Sequence, residues 1–138
     1  MPTQKTSVEW LSGMAFKAQV NGHEIVLDAD EQAGGENLGP RPKPLILVAL
    51  AGCTGMDVIA ILKKMKVTPD YFNVEVEGEV TEEHPRQFTK MHIVYEFRGK
   101  DLPLEKLQKA IDLSQERYCG VSAMLKKALP VSSEIRIL

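Results

Sequence analysis

The chain opens with short runs in which apolar and polar residues alternate. Thr6, Val8 and Trp10 form the first run, Met14, Phe16, Ala18 and Val20 the second, and His23 to Leu27 the third. A period of two marks a half-buried strand. Asn21-Gly22 between the second and third runs marks a hairpin, because both turn positions need positive φ. Three N-terminal antiparallel strands are therefore predicted. From Asp28 to Arg41 the alternation stops, and Gly34, Gly35, Gly39 and Pro40 lie among acidic and amide side chains. That composition predicts a long loop unable to pack.

The period then changes. Leu45 to Leu62, LILVALAGCTGMDVIAIL, carries a single charge, Asp57, and is flanked by Pro42 and Pro44 before it and Lys63, Lys64 and Lys66 after it. This predicts one helix, apolar on every face. Its length admits a membrane span, but a central acid, two glycines and the absence of aromatic anchors argue for a buried helix in a soluble domain. A helix apolar all round must be covered all round. A chain of 138 residues has little material for that, so a homodimer is expected, with the partner chain covering part of the helix. Phe72, Val74, Val76 and Gly78 alternate with Asn73, Glu75, Glu77 and Glu79; after His84-Pro85, Met91, Ile93, Tyr95 and Phe97 share one face. These runs predict a second hairpin.

Asp101 is the expected N-cap ahead of Pro103, with Leu104, Leu107, Ala110, Ile111 and Leu113 giving a helical stripe up to Tyr118. Cys119-Gly120 interrupts it. Val121, Met124, Leu125 and Ala128 predict a shorter helix closed by Leu129-Pro130, and Ser132 to Leu138 a last strand. The order is βββ-α-ββ-αα-β, an α+β arrangement in one domain over residues 1–138 with no internal repeat.

Composition and charge act mainly by exclusion. With 17 Lys and Arg against 19 Asp and Glu the net charge is −2, so no nucleic-acid partner is expected, since phosphate neutralisation needs clustered basic residues. The first ten residues lack the apolar stretch of a secretory signal, which points to a cytoplasmic protein with no membrane partner. His23, His84 and His92 show no metal-ligand spacing, and no glycine-rich phosphate loop or GxSxG elbow is present. No metal or cofactor is expected.

The remaining chemistry is sulfur. Cys53 and Cys119 are the only cysteines, 66 positions apart, which excludes a CxxC motif and paired zinc knuckles. Cys53 lies in Ala51-Gly52-Cys53-Thr54-Gly55, where small neighbours allow close approach to the sulfur. It reads either as a buried inert hydrophobe or as a reactive thiol. Asp57, four residues on, falls on the same helix face and needs a partner; it cannot activate a thiolate, because a nearby negative charge raises a thiol pKa. It is expected to orient a cation or cap a backbone group. Cys119 stands where one helix ends and another begins, near Arg117, Lys126 and Lys127. It reads either as a thiolate stabilised by helix N–H groups or as a surface thiol without a role.

Leu47 to Asp57, LVALAGCTGMD, and Ser114 to Leu125, SQERYCGVSAML, with their spacing and a start carrying Trp10 and Gly13, resemble the OsmC/Ohr family of osmotically inducible and organic hydroperoxide resistance proteins, and within it the YhfA-like branch. The resemblance covers nearly the whole chain. It implies an intertwined homodimer with a buried central helix and sites at the subunit interface, where Cys53 reduces a hydroperoxide. Cys119 then condenses with the resulting sulfenic acid, and an external dithiol reduces the disulfide. The family's peroxidases carry a Glu before the central helix, where this chain has Pro44, and an Arg upstream, whereas no Arg precedes Arg41 here. Lys17 or Arg41 could stand in, though an ammonium does not reproduce a forked guanidinium contact. The alternative is a weakly active or non-catalytic dimer that binds a small molecule or senses redox state.

Overall fold

A computed structural model describes residues 1–138. It divides into two compact units, 1–46 and 47–138, each built around a three-stranded sheet. The element order is that predicted: β1 (Ser7–Ser12), β2 (Ala15–Val20), β3 (His23–Leu27), α1 (Pro44–Lys64), β4 (Tyr71–Val80), β5 (Phe88–Arg98), α2 (Leu104–Leu113), α3 (Gly120–Lys126) and β6 (Val131–Ile137).

In the first unit β1, β2 and β3 form an antiparallel meander. The hairpin between β2 and β3 turns at Asn21 and Gly22, with φ of 51° and 80°, the left-handed pair such a turn requires. The following segment is more ordered than its composition suggests. The Asp28 carboxylate accepts backbone N–H groups from Ala29 at 2.7 Å, Glu36 at 3.1 Å and Leu38 at 3.2 Å, so one buried side chain winds the loop around itself. Burial pulls the Asp28 pKa up, but these three donors, helped by the charge of Arg41, bring it below the usual value. Gly39 is required by contact, since a Cβ there would sit 1.9 Å from the Val26 carbonyl oxygen.

In the second unit β4 pairs antiparallel with β5, and β6 lies parallel to β5 on its other side. A parallel neighbour needs a crossover connection, and α2 and α3 supply it. The core joins Met91, Ile93, Tyr95 and Phe97 of β5 to Leu50, Val58 and Leu62 of α1 and to Leu107, Ala110 and Ile111 of α2. Phe72 of β4 stacks on Phe97 with ring centroids 4.7 Å apart.

Two local expectations are corrected. Asp101 does not cap α2: it has φ of 52°, and Pro103 precedes the helix with no side-chain cap. The helical stripe does not continue as α-helix to Tyr118, because Ser114 to Tyr118 widen into a π-helical turn. The helix α1 is only partly covered, as its all-round apolar sequence and the short chain led us to expect. Leu50, Thr54, Val58 and Leu62, spaced four apart, are fully buried, while Val48, Met56 and Ile59 are exposed, Met56 by 74%. The helix is long and apolar enough to cross a membrane, yet its buried stripe closes the core of the second unit and its polar groups are bonded to other elements of that unit. It is a core helix with one uncovered apolar face.

Candidate active site

All groups of the candidate site belong to the second unit. Cys53 lies on α1, one residue before the buried Thr54 and four before Asp57, so these side chains project from one side of the helix. Cys119 ends the π turn in extended backbone, with φ −76° and ψ 101°, and serves as N-cap of α3. The fold brings the two sulfurs and a carboxylate oxygen of Asp57 within 4.8 Å of one another. This set is one donor short of a closed tetrahedral zinc shell.

Cys119 is not a surface thiol. It is 3% exposed, and its sulfur accepts the Ser122 N–H at 3.4 Å. The helix N–H is therefore present as expected, but burial outweighs it and pushes the thiol up to about 11, with the neighbouring Cys53 thiol and Asp57 carboxylate acting in the same direction. The expected cations face elsewhere: Arg117 is exposed and lies over the Tyr118 ring, and Lys126 donates to the Gln115 carbonyl at 3.0 Å. A thiol held neutral in this way suits a resolving role better than an attacking one.

Asp57 neither orients a cation nor caps a backbone group. Its Oδ2 accepts the Ser114 hydroxyl at 2.9 Å, and that bond sets the sense of a buried chain. Ser114 has spent its proton on the carboxylate, so Thr54 donates to Ser114 (2.8 Å) and Tyr95 in turn donates to Thr54 (2.7 Å). Gln115 donates through its side-chain Nε2 to Thr54 at 3.1 Å and to Tyr95 at 3.0 Å, and its side-chain Oε1 accepts from the Ser122 hydroxyl at 2.8 Å. The Tyr95, Thr54 and Ser114 hydroxyls thus each have one acceptor and at least one donor partner, and the amide can be oriented only one way. Burial raises the Tyr95 phenol pKa, against the hydrogen bonds it shares with Thr54 and Gln115, and the neighbouring acidic groups Cys119 and Asp57 act in the same direction as burial. The π turn makes this possible, since consecutive residues Ser114 and Gln115 both reach the Thr54 oxygen. Such widened turns recur at functional sites.

Thr54, Tyr95, Ser114, Gln115 and Ser122 were not foreseen as site residues. Only the buried acid signalled that some partner must exist. Lys17 and Arg41 belong to the first unit, where Lys17 pairs with Glu24 at 3.1 Å and Arg41 donates to Asn37 and to the Gly39 carbonyl. A second row, Ser132 Oγ to His92 Nδ1 at 2.7 Å and His92 Nε2 to Glu134 at 2.8 Å, resembles a hydrolytic triad in its contacts. Its side chains stand on a solvent-exposed sheet face, where nothing excludes water, and we assign it no chemistry.

The thiol pair, the core helix that carries one of them and the crossover that carries the other define a class. A family model described as OsmC-like protein matches residues 34–134, and the chain belongs to this OsmC-like family. It is similar to Protein YhfA of Escherichia coli (strain K12), 33% identical over 132 residues that cover 95% of this chain and 96% of that protein. Among solved structures it is similar to a hypothetical protein from Aquifex aeolicus VF5, 31% identical with a TM-score of 0.82 over 100% of this chain and 99% of that one. The organic hydroperoxide resistance protein OhrB of Bacillus subtilis shares the fold at 19% identity, with a TM-score of 0.67 over 97% and 98% of the two chains.

Proposed function

We propose that this protein reduces organic hydroperoxides with two cysteines. The observation that supports this reading is the meeting of Cys53 and Cys119: residues 66 positions apart have their sulfurs within 4.8 Å, one half-buried and the other held as a neutral thiol. The Cys53 thiolate attacks the distal peroxide oxygen; the O–O bond breaks, the alkoxide leaves and takes a proton to become ROH, and the sulfur becomes a sulfenic acid. Cys119 then displaces hydroxide from that sulfur. The S–S bond forms, the S–O bond breaks, and water leaves. An external dithiol returns both sulfurs to thiols and is itself oxidised to a disulfide. No resident cofactor takes part.

The working form is a homodimer in this reading, with a second copy covering the Val48, Met56 and Ile59 face of α1. Consumption of cumene hydroperoxide with dihydrolipoamide as reductant tests the activity. The parent should turn over and Cys53→Ser should not; equal rates would refute the proposal. A second reading, a dimer that binds a small apolar molecule, is favoured by a cavity of about 520 Å³ in the first unit, lined by Val8, Met14, Phe16, Leu27 and Pro42. A bound apolar ligand without peroxide turnover would select it.

A further inference from the structure

The second chemical step poses a proton problem. Cys119 must lose its thiol proton as it attacks, and the hydroxyl leaving Cys53 must gain one, in a site where the thiol is buried and held neutral. Among the groups around the two sulfurs, most cannot carry that proton. The Tyr95, Thr54 and Ser114 hydroxyls each already donate within the chain that runs to Asp57. Arg117 and Lys126 face away from the sulfurs, towards Tyr118 and the Gln115 backbone carbonyl. Asp57 differs in both respects. A carboxylate oxygen of Asp57 lies within 4.8 Å of both sulfurs, and only its Oδ2 is occupied, by the Ser114 hydroxyl, leaving Oδ1 without a protein partner.

We propose that Asp57 is the proton carrier of disulfide formation: it takes the proton from Cys119 as the S–S bond forms and gives it to the hydroxyl leaving Cys53. This rests on the two-cysteine reading above. The step balances as sulfenic acid plus thiol giving disulfide plus water, with the Cys119 sulfur oxidised, the Cys53 sulfur reduced, and Asp57 returned to its starting state. Transfer in both directions by one carboxylate removes any need for free thiolate or free hydroxide. The hydroxyl chain holds the carrier in place: Tyr95 donates to Thr54, Thr54 to Ser114 and Ser114 to Asp57, and Gln115, from the turn that ends in Cys119, braces the first two. The ionisable groups that face Asp57 are the two thiols and the Tyr95 phenol.

The test separates the two chemical steps in the full-length protein without added dithiol. Cumene hydroperoxide is mixed with the parent and with Asp57→Asn; sulfenic acid is trapped with dimedone, and disulfide is followed by mass spectrometry of quenched samples. Asn still accepts the Ser114 proton, so the chain of hydroxyls is kept. Sulfenic acid should form no more slowly in the variant, while disulfide formation should slow by about 100-fold. A slowing of less than about tenfold would overturn Asp57 as the carrier. Absence of sulfenic acid in the parent would overturn the peroxidase reading itself, and the carrier role with it.

Should Asp57→Asn fail to fold, the pH profile of the parent decides. With a carrier in place the disulfide step varies by less than about threefold between about pH 6 and 8. If thiolate must form unaided, the rate climbs about tenfold per pH unit, and that result would overturn the proposal.

Discussion

Replacing Thr54 by Val is nearly isosteric and strikes the centre of the buried network. Thr54 is fully buried, and its hydroxyl donates to Ser114 while accepting from Tyr95 and Gln115. Removing it leaves unequal consequences. Ser114 still donates to Asp57, and the half-buried Gln115 still donates to Tyr95. The Tyr95 hydroxyl proton, however, is left with no acceptor. An orphaned buried donor costs about 1–3 kcal/mol, and each lost hydrogen bond about 1 kcal/mol more. Thr54→Val, which orphans the Tyr95 donor and loses the bonds at Ser114 and Gln115, should therefore cost about 3–5 kcal/mol, whereas Thr54→Ser, which keeps the hydroxyl and loses one methyl, should cost about 1 kcal/mol. Urea unfolding at one fixed protein concentration measures both. The sharper test adds Tyr95→Phe. Once the phenol is gone, the loss of its acceptor no longer matters, so the double variant should be about 1–2 kcal/mol more stable than the sum of the singles predicts. Strict additivity, or Thr54→Ser more damaging than Thr54→Val, would refute the hydroxyl chain as drawn.

Two further outcomes follow from the same structure. Cys119 is pushed up to about 11 by burial, so the folded chain holds that proton more tightly than the unfolded chain, whose thiol titrates near ~8.5. The stability this gives is full below pH ~8.5 and falls by up to about 3 kcal/mol as the pH approaches 11; denaturation across that range should show Cys119→Ala with a shallower decline than the parent. Met56 lies on the uncovered face of α1 and is 74% exposed. If a second copy covers it, Met56→Glu should shift the sedimentation profile from dimer towards monomer while helix content is retained, and a parent that sediments as a monomer would dismiss the dimer.

Much of the fold was legible because its signals are local. Alternation in β4 and β5, Asn21-Gly22 between β2 and β3, and Cys119-Gly120 between α2 and α3 each act within a few residues, and each appears where expected. The failures share a different cause. Asp101 has the chemistry of an N-cap, but Pro103 is the residue before the helix, and Asp101 adopts left-handed backbone instead. The loop after β3 looks unable to pack when read as composition, yet a single carboxylate, Asp28, organises it through N–H groups as far away as Leu38. Backbone donors are invisible to residue patterns.

The candidate site divides along the same line. Cys53 and Cys119 stood out as rare residues in telling contexts, and their approach followed from a resemblance rather than from spacing. Asp57 could be seen to need a partner, but the partner is 57 positions away and is presented by a π turn that no periodicity announces. Because Ser114 and Gln115 are adjacent, a regular α-helix would turn them about 100° apart; the widened turn lets both reach one threonine oxygen. That same turn ends in Cys119. A change that restored regular α-helix there would therefore release Asp57 from its hydroxyl and displace the Cys119 sulfur together, which ties the geometry of the carboxylate to that of the thiol beside it.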